Sequence, residues 1–242
     1  ELFHRFGAKA TFFVLGWVAE RHPALVRRIA DQGHEVASHG YSHQMVYTQT
    51  PSVFREETYR CKRFLEDLIQ KPVVGYRAAT YSITEKSLWA MEILIDLGFR
   101  WDSSIFPVRH DLYGLPGAPI YPYVWQSSQR RRIVEFPLST FHLAGQTVPV
   151  AGGGYFRLYP YWLTRWGLQS INAKGQPFIF YVHPWEIDPY QPKVQTNWLS
   201  RFRHYNNLEK AYPRLERLLG DFAFSTVSTV LVQEGLLPPG GR

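Results

Sequence analysis

The sequence predicts an α/β protein built on a mostly parallel sheet, with a β/α barrel favoured over a doubly wound sheet. Three observations carry this reading. Short apolar, β-rich runs alternate with segments of helical periodicity along the whole chain. The polar residues with chemical potential fall just after predicted strands, and a barrel gathers such strand ends at one mouth. Neither a glycine-rich dinucleotide fingerprint nor a phosphate loop with its lysine is present.

Taken in order, Ala10–Leu15 (ATFFVL) is an apolar run without clean alternation, as a strand buried on both faces requires. Residues 23–32 have helical spacing through Leu25, Val26 and Ile29, with Gly33 as the stop. His34–Ser38 is a second strand. Ser52–Ile69 is the clearest helix: Phe54, Tyr59, Cys61, Phe64, Leu65 and Leu68 form its apolar stripe, while Glu56, Glu57, Arg60 and Lys62 face water. Val73–Tyr76 is a brief strand that delivers Arg77. Thr84 caps a helix over Ser87–Asp96, and Gly98 ends it. Phe99–Trp101 leads into Asp102. From there to Ser128 the density of Pro, Gly and Tyr indicates a long ordered loop. Ile133–Phe136 is a strand, Tyr161–Asn172 a helix, and Phe178–Val182 (FIFYV) a buried strand presenting His183. Leu208–Leu219 is a closing helix, followed by a strand near Phe222–Ser225 and a helical tail. The whole reads as one domain over residues 1–242, with a long inserted loop region within residues 105–160.

Composition narrows the function classes. With 242 residues, 45% hydrophobic and 16% aromatic, the chain can bury a substantial core, which excludes disorder. The longest apolar stretch, residues 10–19, is interrupted by Gly16 and too short to span a membrane. Cys61 is the only cysteine, so no disulfide forms within the chain. The net charge is +7, but its one dense run, Arg130 to Arg132, reads as a solvated loop. No recognition helix, zinc-finger pattern or basic stripe accompanies it, so nucleic acid is not expected as a partner. The chain opens without an initiator Met or signal peptide, apparently inside an element, and residues upstream of Glu1 are expected.

Five positions could carry chemistry. His39 and His43 bracket a turn in SHGYSH; neutral imidazoles four apart suit a metal ion, or else are two histidines at the edge of the core. His183 leaves a strand and precedes Pro184-Trp185-Glu186, where an imidazole walled by an indole could act as a general acid or simply pack. Arg77 could hold a carboxylate or stabilise developing negative charge. Asp102, in Asp102-Ser103-Ser104, reads either as a site residue or as a capping turn. Gly152-Gly153-Gly154 reads as a bend or a close backbone approach.

Together these segments resemble the polysaccharide deacetylase family, the NodB homology domain or family 4 carbohydrate esterases. They are ATFFVLGWVAERHP, GHEVASHGYSH, GYRAATYS, DSSIFP, AGGGYFR and FYVHPWEIDP, in that order and over nearly the whole chain. Within the family, the branch associated with bacterial exosortase and exopolysaccharide loci is the nearer likeness. The resemblance implies a distorted (β/α) barrel and a polysaccharide N-deacetylase, with His39 and His43 as metal ligands. It implies Arg77 as the residue orienting a catalytic aspartate and His183 as the general acid. Trp185, Tyr81, Tyr155, Phe156 and Asp102 would meet the substrate. The cofactor implied is a divalent metal, zinc first, with cobalt, nickel or iron compatible with a His₂Asp set. The partners implied are an N-acetylated polysaccharide or oligosaccharide and an exopolysaccharide assembly machinery, on the cytoplasmic or periplasmic side of a bacterial inner membrane.

Two departures stand out. The family's first motif, an acidic stretch ahead of the ATFF strand, supplies the catalytic base and the third metal ligand. Residues 1–9 do not match it, and Glu1 is no substitute. The arginine motif usually continues with proline but here reads Arg77-Ala78-Ala79, which frees φ and would loosen the loop. A catalytically degenerate carbohydrate-binding or scaffold protein on the same fold is the alternative.

Overall fold

The structure, a computed structural model, describes residues 1–127, 129–143, 145–192, 195 and 198–239. Among these residues the strands are Thr11–Val14 (β1), Glu35–Ser38 (β2), Gly75–Tyr76 (β3), Trp101–Asp102 (β4), Tyr123–Gln126 (β5), Arg132–Glu135 (β6), Thr140–Leu143 (β7) and Gln146–Pro149 (β8). The helices are Leu2–Arg5 (α1), Gly16–Arg21 (α2), Pro23–Asp31 (α3), Pro51–Ile69 (α4), Trp89–Asp96 (α5), Gly153–Leu158 (α6), Tyr161–Asn172 (α7), Trp198–Tyr205 (α8), Leu208–Asp221 (α9) and Val227–Gln233 (α10). The chain divides into two compact units: Lys9–Pro137 with the stretch from Phe224 onward, and Glu1–Ala8 with Leu138–Ala223.

The first unit carries a six-stranded sheet in the order β1-β2-β3-β4-β6-β5. Every pair from β1 to β6 is parallel, and β5 returns antiparallel to β6. The parallel order follows from the crossovers: α3 and its neighbour α2 separate β1 from β2, α4 separates β2 from β3, and α5 separates β3 from β4. Helix α4 shows why this works. Thr50 caps it by accepting from the Val53 N–H, and Pro51 starts it with a φ already suited to the helix. Phe54, Thr58, Cys61 and Leu65 recur at helical spacing and are buried. Tyr59, expected on that stripe, is 53% exposed instead, whereas Lys62, expected in water, is buried to 9%. Position 62 lies one helical step from Cys61 on the inward face; its stem packs there, with the ammonium 5.4 Å from the Phe99 ring centre and paired with Glu66.

Gly75 is required where β3 meets Trp101. A Cβ at that position would lie 1.9 Å from the indole, which is fully buried and donates from Nε1 to Ser228 Oγ at 2.8 Å. Gly75→Ala is therefore expected to destabilise the protein by about 3 kcal/mol through overpacking. Urea unfolding checks this, and an unshifted midpoint would mean that Trp101 can move aside.

The second unit holds the β7–β8 hairpin, in register from Thr140↔Pro149 to Leu143↔Gln146, and the helices α1 and α6 to α9. Helix α7 occupies the expected residues. The expected strand at Phe178–Val182 is absent: only a single parallel bridge joins Tyr181 to Gly152. Its backbone finds partners outside a ladder, since Ile179 N–H donates to Ser139 Oγ at 2.7 Å and Tyr181 N–H to the Ala151 carbonyl at 2.6 Å. Gly152, at φ 118°, allows that approach; a Cβ there would stand 2.0 Å from the Tyr181 carbonyl oxygen. The expected strand near Phe222–Ser225 is likewise not part of a ladder; the Lys9 N–H bonds to the Phe224 carbonyl at 3.4 Å. The region expected as a loop contains β5, and Ser128, taken as that loop's end, lies outside the described residues. Arg131 is no solvated loop residue; it pairs with Glu92 at 2.8 Å and with Asp96, both on α5.

Candidate active-site residues

The ladder places the first two functional residues. His39 follows β2 and its N–H donates to the Val14 carbonyl at 2.9 Å; Arg77 follows β3 and its N–H donates to the Ser38 carbonyl at 3.0 Å. Both side chains therefore leave the carboxyl ends of neighbouring parallel strands. His39 Nδ1 stands 2.7 Å from the Arg77 carbonyl oxygen. A carbonyl only accepts, so Nδ1 carries the proton, and in the neutral ring the lone pair sits on Nε2. His43, in the left-handed region at φ 61°, brings its ring to 5.1 Å from that of His39, nearly edge to face. His39 is half-buried and His43 exposed.

Arg77 is buried. Its Nε donates to the Ser103 carbonyl at 2.9 Å and its Nη2 to Ser103 Oγ at 2.6 Å, while the guanidinium lies 3.9 Å from the Phe13 ring centre and 5.7 Å from that of Tyr81. Tyr81 is half-buried, edge-on to Phe106 and Tyr113. The missing proline does not loosen this loop. The Ala78 N–H donates to Ser104 Oγ at 2.8 Å, a bond that proline could not make, and Ala78 and Ala79 are buried.

Asp102 does not take its expected place among substrate contacts. It is fully buried, accepts from the Ser104 hydroxyl at 2.6 Å and from the Ser104 N–H at 3.1 Å, and lies opposite Glu135 in the β4–β6 register. Burial pushes both carboxyls up, and the Asp102 charge drives Glu135 further, well above the usual carboxylate range. The capping-turn reading of Asp102-Ser103-Ser104 is the one the geometry supports.

The second unit carries His183, Trp185 and Tyr155. His183 Nδ1 lies 3.0 Å from Glu186 Oε2, which also accepts from the His183 backbone N–H at 2.9 Å. Glu186 Oε1 accepts from Arg157 Nε at 2.9 Å, and both side chains are only 3% exposed. Burial pushes the Glu186 carboxyl up, but the His183 hydrogen bonds and the His183 and Arg157 charges outweigh it and leave the group below its ordinary value. An ionised Glu186 accepts from Nδ1 and so leaves proton exchange to Nε2 of His183. Trp185 lies nearly parallel to His183, with ring centres 5.5 Å apart, and to His204 at 4.0 Å. Tyr155 is half-buried beside Tyr159. Phe156, expected against sugar, is buried edge-on to Phe180 at 4.7 Å. Glu186 and Arg157 were not among the expected site residues, although both stand inside the motifs HPWE and GGGYFR.

The imidazoles fit a metal ion in donor type and, through the Nδ1 bond of His39, in tautomer. They fall short in number: among the described residues no group of three His, Cys, Asp or Glu side chains could hold an ion. Cys61 offers no substitute, being fully buried, with its thiol pushed up to about 11 chiefly by burial.

Two family models match. One, described as polysaccharide deacetylase, covers residues 1–100, and the other, a domain of unknown function named DUF3473, covers residues 103–232, more than half the chain. The chain belongs to the DUF3473 family, and its first 100 residues match the polysaccharide deacetylase model. Among curated relatives, the peptidoglycan deacetylase of Helicobacter pylori is 31% identical over 105 residues, covering 43% of this chain and 35% of that protein. A peptidoglycan-N-acetylglucosamine deacetylase of Bacillus cereus is 35% identical over 85 residues, covering 35% of this chain and 31% of that one. The matched part thus spans about a third of those relatives' length. A solved structure from Pseudomonas aeruginosa, described as a probable polysaccharide deacetylase, superposes with a TM-score of 0.64 at 15% identity, over 99% of this chain and 72% of its own. At that identity the likeness speaks to fold: the chain has the α/β, distorted-barrel fold of the NodB type, with a mixed sheet and flanking helices.

Proposed function

We propose that the protein hydrolyses N-acetyl groups on a bacterial exopolysaccharide, or on its N-acetylhexosamine-containing precursor, with the help of a divalent metal ion. The observation that carries this is the His39 tautomer. The Arg77 carbonyl fixes Nδ1–H and presents Nε2 as donor beside the His43 ring. The reading also rests on the family and on the resemblance of the ordered motifs.

His39 and His43 would hold the ion together with a carboxylate that the described residues do not bring to them. When bound, the ion supplies a Lewis acid for the acetamide carbonyl and acidifies a water. This chain's residues do the rest. Arg77, anchored through Ser103, is the guanidinium placed to orient a carboxylate base. His183 gives a proton from Nε2 to the departing sugar amine, its ring held by Glu186 and walled by Trp185. Tyr81 and Tyr155 offer aromatic faces to sugar. Acetate leaves, and the polymer gains an amine. Zinc is the first choice of metal, and an exopolysaccharide assembly machinery is the proposed partner.

Acetate release from a panel of N-acetylhexosamine oligomers tests the reading, using the longest natural form of the protein with added zinc and with chelator. Release that chelator abolishes and zinc restores is expected. No release from any oligomer by zinc-loaded protein would overturn the proposal in favour of a binding or scaffold protein.

A further inference from the structure

The second unit has a surface that the hydrolytic chemistry does not use. Trp162, Arg165, Trp166, Gln169 and Arg217 line a cleft of about 460 Å³ between α7 and α9. Helix α7 buries Tyr161, Thr164, Leu168 and Ile171 at helical spacing, so the cleft residues belong to its other side. Trp162 is 67% exposed and Trp166 43%. They stand one turn apart, roughly 6 Å along the axis. Single exposed apolar residues need no explanation, but two indoles in one concave surface with two guanidiniums do.

The cleft is also braced. Trp166 packs edge-on against Phe141 of β7, with ring centres 5.2 Å apart. Tyr161 donates to Asp221 at 2.6 Å, Asp221 lies 3.1 Å from Arg165 Nε, and the Arg217 guanidinium lies 4.6 Å from the Tyr161 ring centre. These contacts restrict both arginines before any ligand arrives.

We propose that this cleft is an auxiliary carbohydrate-binding site that takes the acetylated form of the glycan chain. Its ligand class rests on the deacetylase reading. Indole faces stack against the apolar C–H faces of pyranose rings, and Arg165, Gln169 and Arg217 donate to hydroxyl and acetamide oxygens. Charge then selects between substrate and product. The lining residues include two arginines and no carboxylate, and with Asp221 offsetting Arg165 the cleft remains positive. A de-N-acetylated chain carries ammonium groups, which that field repels, whereas the acetylated chain is neutral. The surface therefore holds polymer still to be processed and releases what has been processed.

The test titrates full-length His39→Ala protein, which does not consume its ligand, with an N-acetylglucosamine hexamer and with the same hexamer fully de-N-acetylated. NMR follows the indole N–H signals of Trp162 and Trp166, assigned by their loss on substitution. Saturable shifts with the acetylated hexamer are expected. Trp162→Ala should weaken the affinity read at Trp166 about tenfold, with an unchanged melting temperature. The de-N-acetylated hexamer should bind at least about tenfold more weakly at low salt, and Arg217→Gln or added salt should narrow that gap. Indole signals that do not move, or that move equally for both hexamers, would overturn the proposal. Acetate release by the unsubstituted protein is read separately. Release without indole shifts removes the cleft site and keeps the deacetylase; indole shifts without release do the reverse.

Discussion

His39→Ala is expected to remove bound metal and acetate release together, lowering turnover by about a thousandfold or more, because a Lewis acid contributes several kcal/mol to this class of reaction. The argument is geometric. Nδ1 of His39 is committed to the Arg77 carbonyl, and that bond leaves Nε2 as the nitrogen that can donate to a metal. His183→Ala should behave differently. Its ring is tied to Glu186, and the resemblance makes it the general acid, so metal content should stay while turnover falls about 10²–10⁴-fold, the usual contribution of a positioned acid. Metal analysis beside acetate release on both variants separates the roles. Loss of metal from His183→Ala, or its retention by His39→Ala, would reverse the assignments.

What could be read before any coordinates existed was mostly local. Tyr161–Asn172 announces itself by period alone, and Ser52–Ile69, nearly the whole of α4, does the same through its apolar stripe. His39, His43 and Arg77 were visible because they follow short apolar runs that become parallel strands. The misreadings share one cause: a partner distant in sequence. FIFYV has the composition of a buried strand, yet its backbone bonds to Ser139 Oγ and Ala151, 40 and 30 residues away, instead of joining a ladder. The β7–β8 hairpin hides in TFHLAGQTVP, where Gly145 at φ 77° was the one turn signal.

The acidic residues show the same limit more sharply. Asp102 looks like a site residue until the β4–β6 register sets Glu135 opposite it, and no local pattern reveals a partner 33 positions on. Glu186 is the converse case. Its spacing from His183 makes it a neighbour in any tight turn, but Arg157, which donates to its other oxygen, comes from α6, 29 residues earlier.

That buried pair carries the second large effect. Glu186→Gln leaves the Arg157 charge without its carboxylate in a place where both side chains are 3% exposed, and should cost about 3–5 kcal/mol of stability at pH 7. Arg157 also donates from Nη1 to the carbonyls of His204 at 2.9 Å and Asn206 at 3.0 Å, so its misplacement would loosen the segment around His183 as well. Because the Glu186 carboxyl titrates below its ordinary value of 4.5, the ionised pair stabilises the fold fully above that pH and loses its contribution as pH falls through the lowered value. Urea unfolding of the two proteins should therefore differ most at neutral pH and converge in acid. Replacing both partners, as Arg157→Met with Glu186→Leu, should cost less than Glu186→Gln alone, since no charge is then left buried without a counterpart. A double variant less stable than the single one would show that the hydrogen bonds to His183, His204 and Asn206, not the uncompensated charge, set the cost.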